Sequence, residues 1–340
     1  MRSDAIPNFS NLGPQDVRPG AMPERACTIF AHLLADRLDE FLIQNLYASA
    51  ARQCFDHGRL FVFHRNGREH HQSIVKMNSD IIYNWRGQGN SSIPMDFFDN
   101  TLNAALRAGD DTWYTQGCAK LDLMLVPSMM NWRHLGAFER PPRLSVPRHL
   151  VPQISEALRA LDVDPNWWFC AIAVPESDAG ADLDAFNASL IALTELVVGQ
   201  FGAGLVLVGD PETALGALPS NVSDARRLPE SVIGQGFVIS KARFLMELTP
   251  SPWLWLAFGL DVPWLRRVKA ATPSKLPGRG FIYPSGPGDT NAAMAAARAM
   301  IRETQDCPMW RAGRAHDPVP APNAMHLPMH DGPNAQFIVL

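Results

Sequence analysis

Lysine is nearly missing from this chain. It stands only at Lys76, Lys120, Lys241, Lys269 and Lys275, and arginine carries the rest of the positive charge. With a formal net charge of −4 the sequence has no basic field of the kind that holds a nucleic acid backbone, so nucleic acid is not an expected partner. Long apolar runs are missing too. None approaches the roughly 18 residues that a membrane-spanning helix needs, and the N-terminus has no charged-then-apolar signal pattern. Cysteine is sparse, with Cys27, Cys54, Cys118, Cys170 and Cys307 far apart and odd in number. That excludes a disulfide framework and a Cys-x-x-Cys metal site, and points to reduced thiols in a cytoplasmic protein. What is present is 340 residues, 46% apolar and 19% charged, enough for two α/β domains that each bury a core.

Residues 1–24, with Pro7, Pro14, Pro19 and Pro23, read as an irregular leader. A first α/β domain is expected over 25–149. It contains a strand at Cys27–Ala31, an amphipathic helix over Asp39–Phe55, a strand at Leu60–Phe63 and another at Leu121–Pro127. Residues 64–115 carry weaker signals. Pro141, Pro142 and Pro147 mark a connector, followed by a helix over Val151–Leu161. A second domain, 150–288, restarts with the continuous apolar run Trp167–Val174, typical of a central parallel strand. A covering helix is expected over Leu183–Gln200, then strands at Leu205–Val208 and Phe237–Met246. After these come a turn at Thr249–Pro252, an apolar helix at Trp253–Gly259 and a strand at Val262–Leu265. The Ala- and Met-rich segment 289–303, with Asp289 or Thr290 as N-cap, reads as a helix that packs back across the domain boundary. Residues 304–340 are expected to be irregular.

Strand–helix–strand units at this pitch need parallel sheets covered on both faces, and such sheets bind ligands at the carboxyl ends of their strands. Those ends here carry Glu176, Ser177 and Asp178 after one strand, Gly209 and Asp210 after the next, and Thr249 and Ser251 after a third. Turn chemistry favours the same residue types, so each has an ordinary reading as well.

Three segments in this order resemble the GT-B glycosyltransferases, and among them the heptosyltransferases and a related group of bacterial glycosyltransferases. Leu33-Leu34-Ala35-Asp36-Arg37-Leu38-Asp39-Glu40 resembles their first loop, Leu-Gly-Asp. Leu205–Glu212 resembles their strand ending in Gly-Gly or Gly-Asp. Thr249–Ala257 through Val262-Pro263 resembles their Asp-Ser-Gly-x-x-His-Leu-Ala helix and the following strand. The resemblance implies two Rossmann-like domains facing each other across a cleft, the first for acceptor and the second for a nucleotide-sugar donor. It implies sugar transfer without a metal or cofactor, in a cytoplasmic protein, with peripheral attachment to a bacterial inner membrane as a variant. The acceptor stays open among saccharide, lipid-linked and protein hydroxyls.

Such a transfer needs a base for the acceptor hydroxyl and positive charge or backbone N–H groups for the departing diphosphate. Asp36, just past the first strand, is the candidate base, with helix capping as its other reading. Thr249 and Ser251 before Pro252 suit an anion site at a helix start, or plain capping. Arg226, beside Arg227, is a candidate diphosphate clamp or half of a solvated loop pair. Trp253, Trp255 and Trp264 read as core, with base stacking as the alternative. His64, His70, His71, His326 and His330 match no zinc spacing and read as surface residues. Ala35, Pro250 and Trp255 depart from the motif, which keeps a second class open: a non-catalytic binding or assembly subunit on the same fold. A nucleotide-sugar epimerase is a third.

Overall fold

The computed structural model describes residues 28–55, 58–65, 69–87, 123–125, 127, 130–135, 143–165, 167–176, 182–268, 280–284, 289–304 and 338–339. The chain divides into two compact units, Met1–Pro142 with Met329–Leu340, and Arg143–Pro328. The leader 1–24, Ser177, Asp178, His326 and His330 lie outside the described residues.

In the first unit, β1 (Thr28–Leu33) is buried at every residue, as a parallel strand covered on both faces must be. A short link leads to α1 (Leu38–Gln53), which buries an unbroken stretch from Phe41 to Ala51. Its small residues Ala48, Ser49, Ala50 and Ala51 allow this close burial. β2 (Arg59–Arg65) runs parallel to β1, with Leu33 beside His64. Next come α2 (Glu69–Met77) and β3 (Ile81–Gly87), the latter parallel to β2. The mostly polar helix and its strand lie within 64–115, where the sequence signals are weak. β4 (Leu123–Leu125) pairs on the other side of β1, and α3 (Trp132–Leu135) packs on α1.

The second unit begins with a 3-10 turn, Arg148–Leu150, and α4 (Val151–Arg159), whose Pro152 sits in the first turn where no N–H is missed. β5 (Phe169–Val174) is buried throughout. α5 (Leu183–Thr194) is capped by Asp182, which accepts the Ala185 N–H at 2.9 Å, and it continues into a π turn, Glu195–Gln200. β6 (Gly204–Gly209) and the three-residue β7 (Val222–Asp224) follow. Then come α6 (Val232–Lys241), β8 (Leu245–Glu247), α7 (Trp253–Gly259), β9 (Trp264–Val268), β10 (Gly280–Pro284) and α8 (Thr290–Glu303). The six strands run parallel in the order β10-β9-β8-β5-β6-β7. The last strand, β11 (Ile338–Val339), belongs to the first sheet, antiparallel beside β4, giving the order β11-β4-β1-β2-β3.

Two expectations change here. The run 237–246 is not one strand: residues 232–241 are helical, and the strand is only Leu245–Glu247. α6 is buried from Val232 to Ile239, so it shows no polar face and no helical period in sequence. Nor is the tail irregular to its end, because residues 338–339 form a sheet-edge strand.

One face of the second sheet, from Cys170, Ile172, Val174, Leu205, Leu207, Met246 and Leu265, packs against Phe186, Leu190 and Leu193 of α5 and Ala293, Ala297, Met300 and Ile301 of α8. Asp289 caps α8 by accepting the Ala292 N–H at 3.0 Å. Arg243 fastens the other end, with Nε donating to Thr304 Oγ1 at 2.8 Å and a terminal nitrogen to the Ile301 carbonyl at 2.5 Å. Within the second unit α8 packs on α5, β9 and β10.

Candidate functional site

Register sets the carboxyl edge of the second sheet. Val174 lies beside Gly209, Leu207 beside Asp224, Ala173 beside Glu247, and Glu247 beside Arg266. Glu176, Gly209, Asp210, Arg226, Thr249 and Ser251 therefore share one end of the sheet. Ser177 follows Glu176 in sequence and lies outside the described residues.

Gly209 is required by geometry. Its φ is +141°, and a Cβ there would stand 2.9 Å from both the Cβ and the carbonyl oxygen of Val174. Its N–H donates to the Gln235 side chain at 2.5 Å. Asp210 then folds the loop: Oδ1 accepts the Glu212 N–H at 2.9 Å, and Thr213 Oγ1 donates to the Pro175 carbonyl at 2.7 Å. The ends of β5 and β6 are thereby tied to each other.

Arg226 is buried and heavily engaged. Its Nε and Nη2 meet the two Asp224 carboxylate oxygens at 2.9 and 2.8 Å. Nη1 donates to the carbonyls of Asp210 at 2.9 Å and Thr213 at 2.7 Å. This guanidinium braces the loop instead of lying open as half of a solvated pair, and it holds the Asp224 carboxyl below its usual range against the opposing effect of burial. Arg227 is exposed and reaches the Pro211 carbonyl at 3.2 Å. The turn between them and α6 is strained, with positive φ at Glu230 and Ser231.

At β8 the anion expected from outside is met by one from within. Glu247 is 0% exposed, and its Oε1 accepts the Ser251 N–H at 2.5 Å. Its Oε2 forms an ion pair with Arg266 Nε at 2.7 Å, although the approach does not make a hydrogen bond. Burial pushes the Glu247 carboxyl up to about 7, while Arg266 and Ser251 pull it back. The N-cap of α7 is Pro252, which contributes no side-chain bond, so neither Thr249 nor Ser251 caps it. Of their hydroxyls, Thr249 Oγ1 is buried without a hydrogen-bond partner, while the Ser251 side chain lies against the Glu247 carboxylate and favours its charged form. Sequence reasoning missed Glu247 and Arg266; the signal was a lone carboxylate inside Phe244–Leu248 and an arginine at the matching position of the next strand. Trp253, Trp255 and Trp264 are core, as expected.

In the first unit, Asp36 is exposed in the link after β1. The N-cap position of α1 belongs to Arg37, which makes no side-chain cap and pairs with Asp39 at 3.1 Å, so Asp36 is not that cap. Ala35 N–H donates to Gln44 Oε1 at 3.2 Å and pins the link to the helix. The surface reading of the histidines is corrected: His64 and His71 are buried, and His71 stacks on Phe41 at 3.9 Å. Their imidazoles fill the apolar space between α1, α2 and β2. His32, also buried, has its pKa lowered to about 4 by the loss of water around it. Among the described residues no group of three or more His, Cys, Asp or Glu side chains could hold a metal ion. No helix among them is long and apolar enough to cross a membrane.

No family model matches the sequence, and no curated protein does. Solved structures do. A glycosyl transferase family 9 protein from Veillonella parvula DSM 2008 superposes with a TM-score of 0.58 at 10% identity, over 84% of this chain and 100% of that one. The ADP-heptose LPS heptosyltransferase II of E. coli superposes with a TM-score of 0.52 at 11% identity, over 82% and 99%. The chain therefore has the α/β, GT-B type of fold found in these glycosyltransferases.

Proposed function

We infer that this protein is a glycosyltransferase that moves a sugar from a nucleotide-activated donor to an acceptor hydroxyl. The observation that carries the reading is the match of fold along nearly the full length of two glycosyltransferases, together with a row of polar groups at the carboxyl edge of the second sheet. In this reading the second unit takes the donor. Glu176, Ser177, Gly209 and Asp210 lie where ribose and base edges would be read, and Thr249 and Ser251 where phosphate oxygens would sit. Arg226 acts by fixing the Asp210–Thr213 loop, which sets the shape of that edge.

Asp36 serves as the base. An exposed carboxylate on a short link anchored by Ala35 and Gln44 can accept the acceptor proton as the new glycosidic bond forms, contributing ~10²–10⁴-fold in rate. The nucleoside diphosphate leaves with the bonding electrons, its charge met by hydroxyl and guanidinium donors, without a metal ion. The acceptor belongs to the first unit.

A second reading, a non-catalytic subunit, draws on one observation: Arg226 and the Ser251 N–H are already occupied by protein partners. The deciding experiment incubates the purified protein with a panel of nucleotide sugars and measures nucleoside diphosphate release and binding. A donor bound and cleaved supports the enzyme. A donor bound and never cleaved, with any acceptor tried, supports the subunit.

A further inference from the structure

We propose that Gln44 is the positioning residue of the base: its side-chain carbonyl fixes the backbone beside Asp36, so that the carboxylate meets the acceptor hydroxyl in one geometry. This rests on the reading of Asp36 above and adds a residue outside the Leu33–Glu40 segment that carries the motif resemblance.

The link from β1 to α1 is short, residues 34–37, and its burial changes at the base: Ala35 is buried, whereas Asp36 and Arg37 are exposed. An exposed side chain gains little direction from packing, so the backbone on either side must supply it. Both sides are tied. After the base, Arg37 belongs to the start of α1: its carbonyl accepts the Phe41 N–H at 2.9 Å, and its guanidinium pairs with Asp39 at 3.1 Å. Before the base, the Ala35 N–H lies outside both strand and helix, and it donates to Gln44 Oε1 at 3.2 Å. Asp36 therefore stands between two fixed residues, one built into the helix and the other held by a side chain.

The helix is buried from Phe41 to Ala51, so an amide within it is costly unless hydrogen-bonded. Gln44, Asn45 and Ser49 are the buried polar side chains of that stretch. Asn45 Oδ1 accepts from Asn78 at 2.7 Å, and the Ser49 hydroxyl donates to Asp80, so these two fasten α1 to the turn between α2 and β3. Gln44, only 7% exposed, serves the link instead: among the described residues the Ala35 N–H is its one hydrogen-bond partner. A methionine would fill similar space without a polar group to satisfy, but would leave that N–H unpaired. A base works only within hydrogen-bond reach of the proton it takes, and a displacement of about 1 Å can cost about 10²-fold in rate. Gln44 acts through Asp36 and is not itself a catalytic residue.

The test is single-turnover release of nucleoside diphosphate from a panel of ADP-, UDP- and GDP-linked sugars by the full-length protein. The set comprises wild type, Gln44→Met, Gln44→Glu, Asp36→Asn and the double variant Asp36→Asn with Gln44→Met, with melting temperatures measured alongside. Gln44→Met keeps the volume and loses the acceptor. Its maximal rate should fall about tenfold or more, while the donor concentration for half-maximal rate stays within about twofold. Gln44→Glu retains an oxygen for the Ala35 N–H and should recover most of the rate. In the double variant the change at Gln44 should cost about twofold or less, because the base it positions is already gone. A merely structural glutamine gives other results: folded Gln44→Met melts lower yet turns over at the wild-type rate, or the change slows Asp36→Asn by the same factor as wild type. Either overturns the proposal. Should Gln44→Met fail to fold, Gln44→Ala removes the same acceptor and is read in its place. Asp36→Asn as fast as wild type, or a wild type that cleaves none of the panel, sinks the reading of Asp36 as base and this inference with it. A slow Asp36→Asn beside a full-speed Gln44→Met sinks this inference alone.

Discussion

The side-chain amide of Gln235 bridges two strand ends: its oxygen accepts the N–H of Gly209 at 2.5 Å, and its nitrogen donates to the carbonyl of Arg226 at 3.0 Å. Gln235 comes from α6, which follows both strands in sequence, so this one residue locks the β6 and β7 loops to the helix covering them. Its site is fully buried. Gln235→Ala leaves a buried N–H and a buried carbonyl unpaired, which should cost about 2–4 kcal/mol. Chemical denaturation checks this, and the loss should appear with no ligand present.

Gly209→Ala should be comparably damaging for a different reason. The residue's φ of +141° is one that side-chain-bearing residues rarely adopt, and the new Cβ would meet backbone and side chain of Val174 at 2.9 Å. A cost of about 2–4 kcal/mol is expected, or a shifted β6 end with lost donor affinity. A melting curve with nucleotide titration separates the two.

Arg226→Gln tests brace against clamp. Losing the guanidinium takes the counterion from Asp224 and one donor each from the carbonyls of Asp210 and Thr213. Stability should fall by about 2–4 kcal/mol in the absence of any nucleotide. A variant as stable as wild type, weakened only in donor binding, would restore the clamp reading.

Two buried groups give the pH dependence opposite signs. His32 is held neutral, its pKa lowered from 6.5 to about 4 by burial. Its share of stability is full above 6.5 and is lost as pH falls toward 4. Glu247 is raised from 4.5 to about 7, by burial first, so its share is full below 4.5 and is lost as pH rises through 7. Glu247→Gln should remove the decline between those values, and His32→Leu should flatten the acid side. Melting temperatures from pH 4 to 8 for the three proteins check both signs.

Much of this was legible in the residues. Phe169–Val174 and Leu205–Val208 are short unbroken apolar runs followed by Pro or Gly-Asp, and they are central parallel strands covered on both faces. Other elements were hidden for physical reasons. α6 is surrounded by protein, so Val232–Ile239 has no polar stripe to betray a helix. β7 has three residues, too few to show any period, and takes its place through pairing with Leu205–Leu207. The site divides in the same way. Gly209 and Asp210 announced a tight turn, and their tight turn is what the structure has. Arg226 looked free because sequence does not show that Asp224 and two carbonyls converge on it. The pairing of Glu247 with Arg266 depends on strand register, which no local pattern encodes.

Sugar transfer with Asp36 as base is tested most directly by nucleoside diphosphate release from wild type and Asp36→Asn under single-turnover conditions. Asparagine keeps the shape of the exposed side chain but takes no proton. Asp36→Asn should lose about 10²-fold or more in rate, with donor affinity and melting temperature unchanged. A variant that turns over as fast as wild type, or a wild type that releases no diphosphate from any nucleotide sugar it binds, would contradict it.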